Sequence, residues 1–132
     1  MQIPTVLIGC EVWLVAFDYQ TRLLLVGQNP DGSTRVSANL VIETPFVLRD
    51  AAGNRHELDP NISRSALAPV IDLLFQPVTR VTVTDRGTLT LDFSQGAQLI
   101  VSPHPQYESW ELQGKGIAGI LVGPGGETNW EG

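Results

Sequence analysis

The sequence predicts an α+β domain, mostly antiparallel sheet of about seven to nine short, meander-rich strands with one short helix packed on it. Three alternating segments, Thr79–Thr84, Thr88–Phe93 and Ala97–Ser102, follow one another across the short turns "DRG" and "SQG". A single apolar stripe of helical spacing, Leu67, Val70, Ile71 and Leu74, precedes them. Pro- and Gly-containing turns break up the rest of the chain at short intervals, with no repeat, linker or low-complexity tail, so residues 1–132 are expected to form one domain.

Taken in order, Glu11–Phe17 and Leu23–Val26 flank the polar turn "DYQT" and predict a hairpin. "NPDGS", Asn29–Ser33, is a turn by its Pro and Gly. Pro45 separates "ANLVIET" from "PFVLRD" and favours an edge strand or a bend there, because proline cannot donate to a ladder. "DAAGN" turns the chain into "RHELD". The helix is expected within Ser65–Phe75, regular from Leu67 or Ala68, because Pro69 is tolerated only in a first turn; Pro77 closes it after two to three turns. In the meander, Val81, Val83, Leu89, Leu91, Phe93, Leu99 and Val101 face the core, and Thr82, Thr84, Thr90, Asp92 and Gln98 face away. "SWELQG" and "IAGILVG" add two late strands.

At 132 residues the chain buries roughly two-thirds of its unfolded surface. Its 42% hydrophobic and 17% charged residues are a globular composition. With 14 acidic against 8 basic residues the net charge is −6, and Lys115 is the only lysine. Such a surface repels phosphate backbones, which argues against nucleic acid, and suits a basic protein partner. No apolar run approaches the ~18 residues of a membrane span, so no membrane partner is expected and the location expected is cytoplasmic. Cys10 ends "VLIGC", similar to a lipid-attachment box, but only nine residues precede it and none is Lys or Arg. It is expected to be a small buried thiol of the first strand.

The stretch "PQYESWELQGKG", Pro105–Gly116, gathers the chemistry-bearing side chains. Gly114–Gly119 spells G-x-G-x-x-G, yet a dinucleotide loop must open a helix, and "ILVGPGG" cannot form one. Those glycines are expected to serve a bulge or tight turn. Tyr107 and Trp110, three residues apart, lock a core or contact a ligand or partner. Glu108 and Glu111 are expected on opposite faces of an alternating strand, which disfavours an acid–base pair. His56 lacks the second histidine of H-E-x-x-H, and His104 lies between two prolines; neither has ligand spacing with Cys10, so neither a metal nor any other cofactor is expected. No G-x-S-x-G elbow supports nucleophilic catalysis, and the chain is expected not to be an enzyme.

The segments from Ile8 to Gly114, ending in P-x-Y-E-x-W-E-L-x-G at Pro105, Tyr107, Glu108, Trp110, Glu111 and Gly114, resemble a family of small uncharacterised bacterial proteins common in actinobacteria. In size and motif style they are similar to immunity proteins that neutralise toxins. The polar insert "GQNPDGSTRVSA" departs from that pattern. Two functions follow as expectations: a non-enzymatic protein-binding domain, with Tyr107, Glu108, Trp110 and Glu111 as its candidate surface, or a small-ligand domain with Tyr107 and Trp110 as one wall of a pocket. A homo-oligomer is open through an exposed edge, at "ANLVIET" or the last strand.

Overall fold

The computed structural model describes residues 2–126. Its ten strands are β1 (Glu11–Phe17), β2 (Thr21–Gln28), β3 (Thr34–Ile42), β4 (Phe46–Arg49), β5 (Arg55–Leu58), β6 (Val78–Thr84), β7 (Thr88–Phe93), β8 (Gln98–Val101), β9 (Trp110–Lys115) and β10 (Ile120–Val122). They form two five-stranded sheets, β1-β2-β3-β9-β10 and β5-β4-β8-β7-β6, antiparallel throughout. The expected antiparallel character holds, with more strands than expected. Inward side chains of both sheets belong to one buried cluster, so the sheets enclose a single core in the manner of a sandwich.

The meander β6–β7–β8 follows its alternation residue by residue. Val81, Val83, Leu89, Leu91, Phe93, Leu99 and Val101 are buried, whereas Thr82, Thr84, Thr90, Asp92 and Gln98 keep partial or full exposure. The insert "GQNPDGSTRVSA" is no loose loop. It lengthens the β2–β3 hairpin, with Asn29 donating its N–H to the Ser33 carbonyl (2.8 Å) across the turn. Pro45 marks the point where the chain leaves β3 in the first sheet and enters β4 in the second. The expected bend is therefore present, but β4 lies inside its sheet, not at its edge. The same topology makes β3 the central strand of the first sheet, so "ANLVIET" presents no edge; β10 does.

The helix is shorter than its stripe suggested. A 3-10 turn at Ser65–Leu67 runs into α1, Ala68–Ile71, only four residues long. The buried positions are Leu67, Val70 and Leu73, a period of three, and Ile71 is exposed. A period of three is that of a 3-10 helix; accordingly Leu73 and Leu74 donate to the carbonyls of Val70 and Ile71. Beyond them Phe75 takes φ 64°, and its N–H donates to the Val12 carbonyl (2.7 Å). Gly9 and Cys10 likewise bond Val78. This seam along the start of β1 captures the end of the helical segment and ties the two sheets together. Cys10 is buried immediately before β1, and burial pushes its thiol pKa up against the opposing pull of Arg35.

Candidate functional site

The β3–β9 pairing decides where the late signature points. Val41 pairs with Glu111 and Ile42 with Trp110. Because side chains alternate along a strand, Trp110 turns inward with Ile42 while Glu111 turns outward with Val41. Trp110 is 0% exposed, and its indole Nε1 donates to the carbonyl of Gly87 (2.7 Å) in the turn between β6 and β7. It therefore does not belong to the surface on which the sequence placed it. Tyr107, three residues earlier and before the strand begins, is 63% exposed. Its ring rests on His104, with centroids 4.8 Å apart. Between them Ser109 is buried, its N–H donating to the Val122 carbonyl (3.0 Å). The stretch thus divides into an exposed rim, residues 105–108, a strand whose inward Trp110 and Leu112 are set into the core, and an exposed end from Gln113 to Gly116.

The glycines of this stretch answer to backbone crowding. A Cβ on Gly114 would lie 2.1 Å from the Ser37 carbonyl oxygen, and one on Gly116 would lie 2.1 Å from that of Arg35. They let β9 press against β3 before the chain turns into β10, so the turn expected of them is accompanied by a close strand approach.

Glu43, just past β3, donates its N–H to the Ser109 carbonyl (2.9 Å) and lies beside the rim. Its carboxylate accepts from the Gln20 amide. Partial desolvation, then contact with Glu108, and more weakly the charge of Glu111, push its pKa above the ordinary 4.5. Glu108 and Glu111, expected on opposite faces, thus both act on Glu43, because Glu108 precedes the regular alternation. Ion pairs among the described residues are Arg55–Glu57 and His56–Asp50, neither of which involves this acidic group. Glu43, Gln106, Tyr107, Glu108 and Pro124 line an open depression of about 470 Å³.

The sign of the Glu43 effect follows from linkage. A raised folded-state value means that the protonated form suits the fold. Its contribution is fully present below pH 4.5 and is lost as pH rises through the folded value. Glu43→Gln is therefore expected to melt above the wild type at pH 7, with the gap closing below about pH 4. Thermal melts at the two pH values check this; a lower melting temperature for the variant at pH 7 contradicts it.

The histidines sit apart from this chemistry or support it only by packing. His56 Nε2 bonds Asp50 Oδ2 (2.9 Å), which holds the Asp50 carboxyl down at about 2, and His104 Nδ1 accepts from the Gln106 N–H (3.0 Å). No group of three or more His, Cys, Asp or Glu suited to a metal ion occurs among the described residues. No helix among them is long and apolar enough to cross a membrane. Gln20 and Glu43 were not singled out in the sequence, since they reach the rim only through pairing of strands distant along the chain.

The chain belongs to a family of unknown function (DUF6188), whose model matches residues 3–131. No curated protein and no solved structure matches it.

Proposed function

We propose that this chain is a non-enzymatic protein-binding domain that takes a basic segment of its partner at the acid end of the first sheet. The observation that carries this reading is the gathering of Glu43, Glu108 and Glu111 with no ion-pair partner among the described residues; partial desolvation first, and then these neighbouring carboxylates, raise the pKa of Glu43. Carboxylates held together in a fold raise its energy, and a Lys or Arg from outside relieves that repulsion. Tyr107 beside them supplies an exposed aromatic of the type that anchors interfaces. A basic toxin of the kind that immunity proteins neutralise is one such partner, by likeness of size and motif style. The small-ligand reading is weaker, because Trp110 lies beneath the surface and the depression at Tyr107 is open and acidic.

Affinity capture from the source cells, wild type beside Glu43→Gln/Glu108→Gln, tests the proposal. The expected result is one stoichiometric basic protein on the wild type at low salt, released at high salt and lost from the variant. An identical set of captured proteins on both baits, or none on either, contradicts it.

A further inference from the structure

The two outer faces of the sandwich differ. On the second sheet the outward side is polar over β6 and β7, at threonines 82, 84 and 90 with Asp92, and at Gln98, and only the half-buried pair Val47 and Ile100 interrupts it. On the first sheet, Leu14, Leu24 and Leu121 point outward, a β-bulge between Val12 and Leu14 turns Trp13 out as well, and the outward Val41 is itself almost covered, at 9% exposed. Leu14 is 48% exposed, Leu121 47% and Trp13 42%. A bulge re-aims a side chain at little cost. Apolar residues gathered on an otherwise solvated face mark a contact surface.

One row crosses this face as successive cross-strand partners: Ala16, Arg22, Val41, Glu111 and Leu121. Val41 lies on the central strand. Arg22 and Glu111 flank it, each one strand spacing away, about 4.8 Å. They carry opposite charges, and neither forms an ion pair among the described residues.

We propose that this face is the interface of a symmetric homodimer, with a two-fold axis running along the strands over Val41. Rotation about that axis sets Arg22 of each copy against Glu111 of the other. A symmetric interface requires that residue i meet j while j meets i, and this row satisfies that requirement. Ala16 then falls opposite Leu121, small against large. Asn39, central in the adjoining row, meets its own copy, and an amide can both donate and accept. An axis running across the strands would place Arg22 on Arg22, so the charges select one of the two packings.

Size sets the strength. Five strands at ~4.8 Å and about six residues at ~3.3 Å cover on the order of 500 Å² per copy. That lies below the ~800 Å² per partner of a stable standard interface, so association is expected in the micromolar range. The same axis brings Glu43 of the two copies to one end, a like-charge approach that also limits affinity. The proposal does not rest on the basic-partner reading, since Arg22 and the apolar residues lie outside the rim at Tyr107 and Glu108. Glu111 is common to both, so a dimer that pairs it with Arg22 leaves Glu43 and Glu108 as the rim's free carboxylates.

Sedimentation velocity from about 1 to about 500 µM, spanning the range expected for such an interface, reads the association directly. Wild type is expected to dimerise with concentration. Arg22→Glu, which opposes like charges twice, is expected to weaken it about tenfold or more, and Arg22→Glu/Glu111→Arg to recover most of the loss. Circular dichroism of each variant confirms that it is folded. A monomer at every concentration, an Arg22→Glu variant that associates like wild type, as pairing through the β10 edge would give, or a double variant no stronger than the single one overturns the proposal.

Discussion

Replacing Trp110 by alanine is expected to destabilise the fold by about 3–5 kcal/mol, the usual cost of emptying a large buried aromatic site. The position links the two sheets. The ring is fully buried, and its Nε1 reaches the carbonyl of Gly87, itself buried in the β6–β7 turn. Val122 of the last strand closes on the same turn, where a Cβ on Gly87 would lie 2.7 Å from its Cγ1. Trp110→Phe keeps most of the volume but leaves the Gly87 carbonyl without its donor, at about 1–3 kcal/mol. Whole-domain stabilities of about 5–15 kcal/mol make the alanine variant marginal. Urea unfolding checks both, with a lower midpoint and an unchanged slope expected. An alanine variant within about 0.5 kcal/mol of wild type would mean that Trp110 is not the latch described, since that is the scale of ordinary surface substitutions.

Gly114→Ala is expected to be at least as damaging, above about 4 kcal/mol, for a different reason. The added Cβ would meet the Ser37 carbonyl oxygen at 2.1 Å and the Ala38 Cα at 2.8 Å. Both are backbone atoms of β3, so no side-chain rotation relieves the contact. The φ of 153° at Gly114 adds strain. Relief requires β3 and β9 to part, which dissolves the pairing that holds Glu111 beside Val41 and carries Trp110 inward. Gly32→Ala is the control. Gly32 has φ 87° in the β2–β3 turn, and a Cβ there meets nothing within 4 Å, so only the left-handed penalty of about 1–2 kcal/mol is expected. Equal losses in the two variants would mean that conformation, not crowding, sets the cost at Gly114.

Local pattern made part of this molecule legible from sequence. The β6–β8 meander was readable because every second residue is apolar and each turn is short, which leaves one register that buries Val81, Leu91 and Leu99 together. The helix is shorter than its apolar spacing implies. Leu67, Val70, Ile71 and Leu74 satisfy a period of 3.6, yet Pro69 and the pull of Val12 on Phe75 favour a 3-10 course that buries Leu73 instead. The bulge at Trp13 leaves no signature in "EVWLVAF", whose alternation alone would point Trp13 and Leu14 to opposite sides. At the rim, Tyr107 and Glu108 were found because they are adjacent in sequence. Gln20 and Glu43 were not, because the turn after β1 and the end of β3 meet the rim only once the first sheet is assembled.

The most direct measurement of the binding account is carboxyl carbon NMR of Glu43, Glu108 and Glu111 across a pH titration, with the protein free and with its captured partner. In the free protein Glu43 is expected to titrate above 4.5. In the complex its midpoint is expected to move down, because a neighbouring cation favours the charged carboxylate. A Glu43 midpoint that is the same with and without the partner would contradict the account.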